Sequence, residues 1–127
     1  MAVDEAFTLV LSSDAGTPRV ARQAVAEVYG DHRRCADLLL CVSEVVTNAV
    51  LHARSAARIT VRRVADLLTV EVEDADPTPP TRRPHSPMAT TGRGLRILDE
   101  LTVRWGSRPA HTGKVVWFEF DLAEEAA

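Results

Sequence analysis

From Arg34 to His52 the chain is apolar almost all the way round a helix. Leu38, Val42, Val45, Val46 and Ala49 recur at three- and four-residue spacing and make its main face, while Leu39, Leu40, Cys41 and Val50 carry apolar surface round most of the circumference. A helix of this kind leaves a second apolar side in water if it lies on the outside of a protein, so it belongs in the middle of a layer. Polar residues within it then need a physical reason, because an unpaired amide or carboxylate in such surroundings costs several kcal/mol, on the order of 2–7 for a buried polar group.

The rest of the chain has to supply the cover. Phe7 to Leu11 is short and rich in β-formers, which predicts a strand. Thr17-Pro18 reads as an N-cap followed by proline at the first helical position, Val20, Ala24, Val25 and Val28 follow at helical spacing, and Gly30 reads as the stop. Ile59 to Arg63 and Leu67 to Glu73 predict a hairpin that turns near Ala65-Asp66. Within it Leu68, Val70 and Val72 share a face, and Asp74 continues that parity toward the layer above the sheet. Between Asp76 and Thr91 stand five of the seven prolines, a composition that excludes a helix or a central strand and predicts a long loop. Gly92-Arg93-Gly94 follows, then a helix with Leu95, Leu98 and Leu101 on one face. Val103 to Trp105 and Val115 to Leu122 close the chain as strands, with Val116, Phe118, Phe120 and Leu122 facing one way and Glu119 and Asp121 the other.

The order is therefore β-α-α-β-β-loop-α-β-β. Two strands run consecutively twice, which predicts a two-layer α+β sandwich: a mixed, mostly antiparallel sheet with helices on one face. At 127 residues the chain holds one core, and it is read as a single domain over 1–127. The net charge of −3 gives no global pull toward nucleic acid or an anionic membrane. No apolar run is long enough to span a bilayer, and the acidic start, Met1 to Glu5, lacks the layout of a signal peptide; a cytoplasmic location is expected. Cys35 and Cys41 lack metal-ligand spacing and read as reduced thiols in or near the core.

Three features carry chemistry. On the long helix Asp37, Cys41, Glu44 and Asn48 are spaced by four, three and four, and His52 follows four later, which lines them up as one stripe. Asn48 offers a carbonyl oxygen suited to a hard cation, and Glu44 is placed to orient a water or a hydroxyl. A stripe of this kind also serves simply to face solvent or to cap a neighbouring loop. Asp74, at the end of its strand, suits the exocyclic amine of a base such as adenine, and it equally suits a turn that caps its own backbone. Gly92-Arg93-Gly94 before a helix allows close backbone approach and presents N–H groups and a cation to an anion; glycine there also shapes ordinary turns.

Taken in order, these segments carry a resemblance. Glu44-Val-Val-Thr-Asn48-Ala-Val-Leu-His52 resembles the N box of the gyrase, histidine-kinase and MutL type of ATPase, the Bergerat fold. Asp74 after Val-Glu-Val-Glu resembles the aspartate of its first glycine box, Gly92-Arg93-Gly94-Leu95 the second box, and Thr112-Gly113-Lys114 the last small motif. The short length and the wording around SEVVTNAVLHA and TGRGLRILDELTVRWG are similar to the bacterial anti-sigma-factor serine kinases. The resemblance implies ATP and Mg²⁺ as cofactors. It gives Asn48 the metal, Glu44 the role of general base and Asp74 the adenine amine. Gly92, Arg93, Gly94, Leu95 and Thr112 would line the nucleotide, and the loop over 76–91 would be its lid. The implied substrate is a serine or threonine on an antagonist protein, with a sigma factor as the other partner and no direct contact with nucleic acid or membrane; a homodimer stays open. A binding module without catalysis, which sequesters a sigma factor or another regulator, is the alternative. The sequence departs from the family in one place: Asp74-Ala75-Asp76-Pro77-Thr78 lacks both glycines of the first box, and proline stiffens what glycine would loosen.

Overall fold

The computed structural model describes residues 5–53, 56–76, 89–111 and 113–123. Its elements are β1 (Glu5–Leu11), α1 (Thr17–Tyr29), α2 (Cys35–Ala53), β2 (Ala57–Val64), β3 (Leu67–Asp74), α3 (Ala89–Leu101), β4 (Arg104–Pro109) and β5 (Lys114–Asp121). The strands form one sheet in the order β1-β2-β3-β5-β4, and every pairing is antiparallel. The element order and the α+β class agree with expectation. The sequence predicts a mixed, mostly antiparallel sheet; all its neighbouring pairs are antiparallel, because β5 is inserted between β3 and β4, which point the same way.

One face of the sheet carries the helices. Along β3 the residues alternate between the two faces, so Leu68, Val70, Val72 and Asp74 are all buried. Val116, Phe118 and Phe120 do the same on β5, and Ile59 and Val61 on β2. The central helix α2 packs on β2, β3 and β5 and is flanked by contacts with α1 and α3. Its main face, Leu38 to Ala49, is buried as the spacing predicts. Burying a row of Val and Leu side chains against a sheet contributes roughly 1.5–3 kcal/mol each, which is what holds a helix with this composition in the centre.

The first helix turns a different side inward. Its buried residues are Thr17, Ala21, Val25 and Tyr29, whereas Val20 and Val28 are 49% and 44% exposed. Two apolar stripes lie side by side on this helix; the inner one pairs the small Ala21, which permits close approach to α2, with the large ring of Tyr29. Gly16, not Thr17, is the N-cap residue. The Thr17 hydroxyl instead donates to the Ser12 carbonyl, and the Asp14 carboxylate accepts from the Gly16 N–H at 2.8 Å. Gly30 does stand at the end of the helix, but with right-handed backbone. The helix stops there because the next turn starts with the bond from His32 N–H to the Tyr29 carbonyl.

The outer face of the sheet is polar and cross-linked. Glu71 on β3 pairs with Arg62 on β2 and with Arg108 on β4, and Glu119 on β5 pairs with Arg104. Trp117 lies against Gly106 on the neighbouring strand, where a Cβ would come within 2.9 Å of its ring. This glycine lets β4 extend through Arg104–Pro109, longer than the Val103 to Trp105 segment predicted from sequence.

Candidate nucleotide site

The candidate groups stand on three elements: Glu44 and Asn48 on α2, Asp74 at the end of β3 and Lys114 at the start of β5, and α2 packs on both strands. Glu44 and Asn48 sit one helical turn apart on α2. Glu44 is half-buried, and Asn48 is only 8% exposed. The side-chain nitrogen of Asn48 is buried with no hydrogen-bond partner among the described residues. Two other members of the stripe are settled in other ways. Asp37 pairs with Arg34 at 3.6 Å. Cys41 is fully buried, and burial, reinforced by the charge of Asp37, pushes its thiol up to about 12. It is thus a core thiol and not a nucleophile. Both cysteines are free and buried, as read from sequence.

Asp74 ends β3 directly opposite Lys114, the first residue of β5. Both face the helix layer, and they are 4% and 6% exposed. The Lys114 ammonium donates to Asp74 Oδ1 and to the Asp76 carbonyl, each at 3.1 Å, and stands 3.0 Å from Asp74 Oδ2. The Asp76 N–H also donates to Oδ1, at 2.8 Å. Gly113 makes this approach feasible. A Cβ there would fall 1.9 Å from the Asp74 carbonyl oxygen and 2.7 Å from two backbone atoms of Ala75, so no other residue fits without displacing the strand. Asp74 therefore does one of the two things its sequence position allowed, closing a turn on its own backbone, and its carboxylate is buried at the strand end against Lys114.

Lys114, the last residue of the Thr112-Gly113-Lys114 segment, thus holds a place in the site that the resemblance does not assign to it. A signal for it existed. It shares parity with Val116, Phe118 and Phe120, so it had to be a buried cation, and a buried cation needs a carboxylate.

The glycine segment needs a correction. Gly92, Arg93 and Gly94 were expected to precede the third helix; α3 begins at Ala89 and includes them, together with Leu95, which is buried. Ala89, Thr90 and Thr91 contain no helix breaker, and a glycine inside a helix costs only about 1 kcal/mol, so the helix extends back through both. The side chains of 89–94 and residue Thr112 lie outside the described residues, and so does most of the expected lid, 77–88. Leu95 and Leu98 point into the core and dock α3 on α2.

The unpartnered Asn48 nitrogen is a donor and cannot bind a cation, but the oxygen of the same amide is the kind of ligand Mg²⁺ takes, and one such side chain fits an ion that keeps several waters and takes phosphate oxygens. Among the described residues no cluster of three or more His, Cys, Asp or Glu offers an all-protein metal cage. A family model, the histidine kinase-like ATPase domain, matches residues 10–120. The chain belongs to that family. The match takes in the second half of α2, the end of β3, α3 and the start of β5, which are the parts that carry the candidate groups. Membership in a histidine kinase-like ATPase family implies ATP binding. A search of curated proteins found no match. No helix among the described residues is long and apolar enough to cross a membrane.

Proposed function

We propose that this histidine kinase-like ATPase domain is an ATP-dependent regulator that acts as an anti-sigma factor and phosphorylates a serine or threonine of an antagonist protein. The observation that carries the reading is the buried Asn48, whose side-chain nitrogen has no partner among the described residues, one turn from Glu44 on the central helix. Family membership supports the nucleotide, and the histidine kinase-like domain is one that anti-sigma-factor serine kinases contain. Bound Mg-ATP supplies the phosphoryl group, with the metal neutralising phosphate charge. Asn48 contributes its side-chain oxygen to the metal. Asp74 would accept from the base amine, and Gly92, Arg93, Gly94 and Leu95, which lie within the first two turns of α3, would line the phosphates, Arg93 with its positive charge. Thr112 lines the nucleotide. Glu44 would accept the proton of the incoming hydroxyl as its oxygen bonds to the γ-phosphorus and the bond from that phosphorus to the β-phosphate oxygen breaks, with ADP as the leaving group.

Labelled ATP and co-purifying proteins test this reading. Transfer of label to a small partner is expected, and transfer should stop in Glu44→Gln while ATP binding persists. That variant keeps the size and hydrogen bonding of the side chain and removes the base, so a loss of about 10²–10⁴-fold in transfer is expected. Transfer at the unmodified rate by Glu44→Gln would remove Glu44 from the role. One observation favours a second reading, a nucleotide-dependent module that sequesters its partner without catalysis: Asp76 and Thr78 stand where the first box carries its two glycines. Tight ATP binding with no transfer to any partner would select that reading.

A further inference from the structure

An ion pair buried to this degree is a poor device for stability, because desolvating both charges offsets most of their attraction. Two apolar residues would fill the same space at the start of β5 at lower cost. The pair of Asp74 and Lys114 is also incompletely satisfied. An ammonium has three N–H donors, and Lys114 commits two of them, to Asp74 Oδ1 and to the Asp76 carbonyl. The other carboxylate oxygen, Oδ2, lies 3.0 Å from the ammonium but accepts no hydrogen bond among the described residues, while Oδ1 takes both of the bonds that Asp74 accepts. One donor and one acceptor thus remain side by side at the end of β3.

That pattern has a chemical complement. Along the edge of adenine the amine at position 6 donates and the adjacent ring nitrogen N1 accepts. We propose that Lys114 is a second base-reading residue of the nucleotide site: its remaining N–H donates to N1 while Asp74 Oδ2 accepts from the amine. The proposal rests on the nucleotide reading above and adds to it a direct protein donor for the ring nitrogen. Gly113 is what admits the arrangement, since any side chain there would push β5 and its lysine away from β3.

The test compares two ligands on the intact protein. Calorimetry with Mg-ADP and with Mg-1-deaza-ADP, which has a carbon at position 1 and keeps the amine, isolates the single contact. The unmodified protein should bind ADP about tenfold or more tightly over the deaza analogue, the usual worth of one hydrogen bond to a charged group. Lys114→Met, checked for a cooperative thermal transition, should bind the two ligands alike. A lysine with only a structural role would weaken both ligands together and leave their ratio unchanged in the variant. Equal affinities in the unmodified protein overturn the role of Lys114 and leave the nucleotide reading standing, as does a ratio that survives in Lys114→Met. If neither ligand binds at millimolar concentration, the nucleotide reading itself fails. Because the two-ligand comparison on the unmodified protein needs no variant, it decides the matter even if Lys114→Met does not fold.

Discussion

At the scale of single residues, the site combines groups that are unsatisfied with groups held very tightly. Asn48 is of the first kind: its amide nitrogen is buried without a partner, a state that costs about 1–3 kcal/mol in a folded chain. Replacement by alanine removes that cost together with the metal ligand. Asn48→Ala is therefore expected to keep or slightly raise the melting temperature while weakening Mg-ATP much more than metal-free ATP. Calorimetry with and without chelator measures the second effect, and equal weakening of both would separate Asn48 from the metal. Gly113 is of the second kind. With backbone atoms where its Cβ would lie, Gly113→Ala should destabilise by about 3 kcal/mol, the upper end of ordinary overpacking. Urea denaturation reads this directly. A loss under about 0.5 kcal/mol, the range of a neutral surface change, would show that the strand shifts without strain.

At the scale of elements, the join between the two layers depends on one arginine. Arg34 precedes α2, is nearly buried, and donates to the carbonyl of Asp121 at 2.6 Å and of Leu101 at 3.4 Å. Its guanidinium lies 4.2 Å from the centre of the Phe120 ring and 3.6 Å from the Asp37 carboxylate. The start of α2, the end of α3 and the end of β5 thus meet on a single planar cation. Removing it leaves two carbonyls without their donor, at about 1–3 kcal/mol each. Arg34→Met should lower stability by about 3 kcal/mol, on the order of 10 °C in melting temperature for a domain of this size. Arg34→Lys restores charge but not the planar fork and should recover less than half of the loss. The same join explains which helix phases could be read in advance. In α3 a single apolar stripe dominates, and in α2 the polar stripe through Asp37, Glu44 and Asn48 marks the one side that the main apolar face leaves, so both phases follow from spacing. In α1 the stripes through Val20 and through Ala21 compete, and the contact with α2 selects the second.

At the scale of the whole molecule, the sheet has one apolar face and one cross-linked polar face. Glu71 lies at the middle of the latter, bridging β2 and β4 across β3 and β5. Burial by itself would raise its carboxyl, but the hydrogen bonds and charges of Arg108 and Arg62 outweigh burial and hold it below the ordinary value of 4.5. A folded-state value below the unfolded one means stabilisation that is complete above the unfolded value and is lost as pH falls through the folded value. The stability gap between the unmodified protein and Glu71→Gln should therefore be full at neutral pH and shrink below about pH 4.5. Urea midpoints at pH 7 and pH 3.5 check the sign. A gap that widens in acid would mean that Glu71 does not act through its ionised form.

The sequence by itself determined the class of the protein. The all-round apolar α2, the alternation in β3 and β5 and the order of the Glu44, Asn48, Asp74 and Gly92 segments depend on local spacing, and local spacing follows from the period of a helix or a strand. The antiparallel sheet order, the inner face of α1 and the join at Arg34 were decided by packing between elements far apart in the chain. So was the pair of Asp74 with Lys114. Its parity was legible in each strand separately, but the register that sets the two residues opposite each other, and the close passage of Gly113 that permits it, exist only once β3 and β5 have met. Spacing along one element decides which face a residue takes; only the contact between elements decides what it meets there.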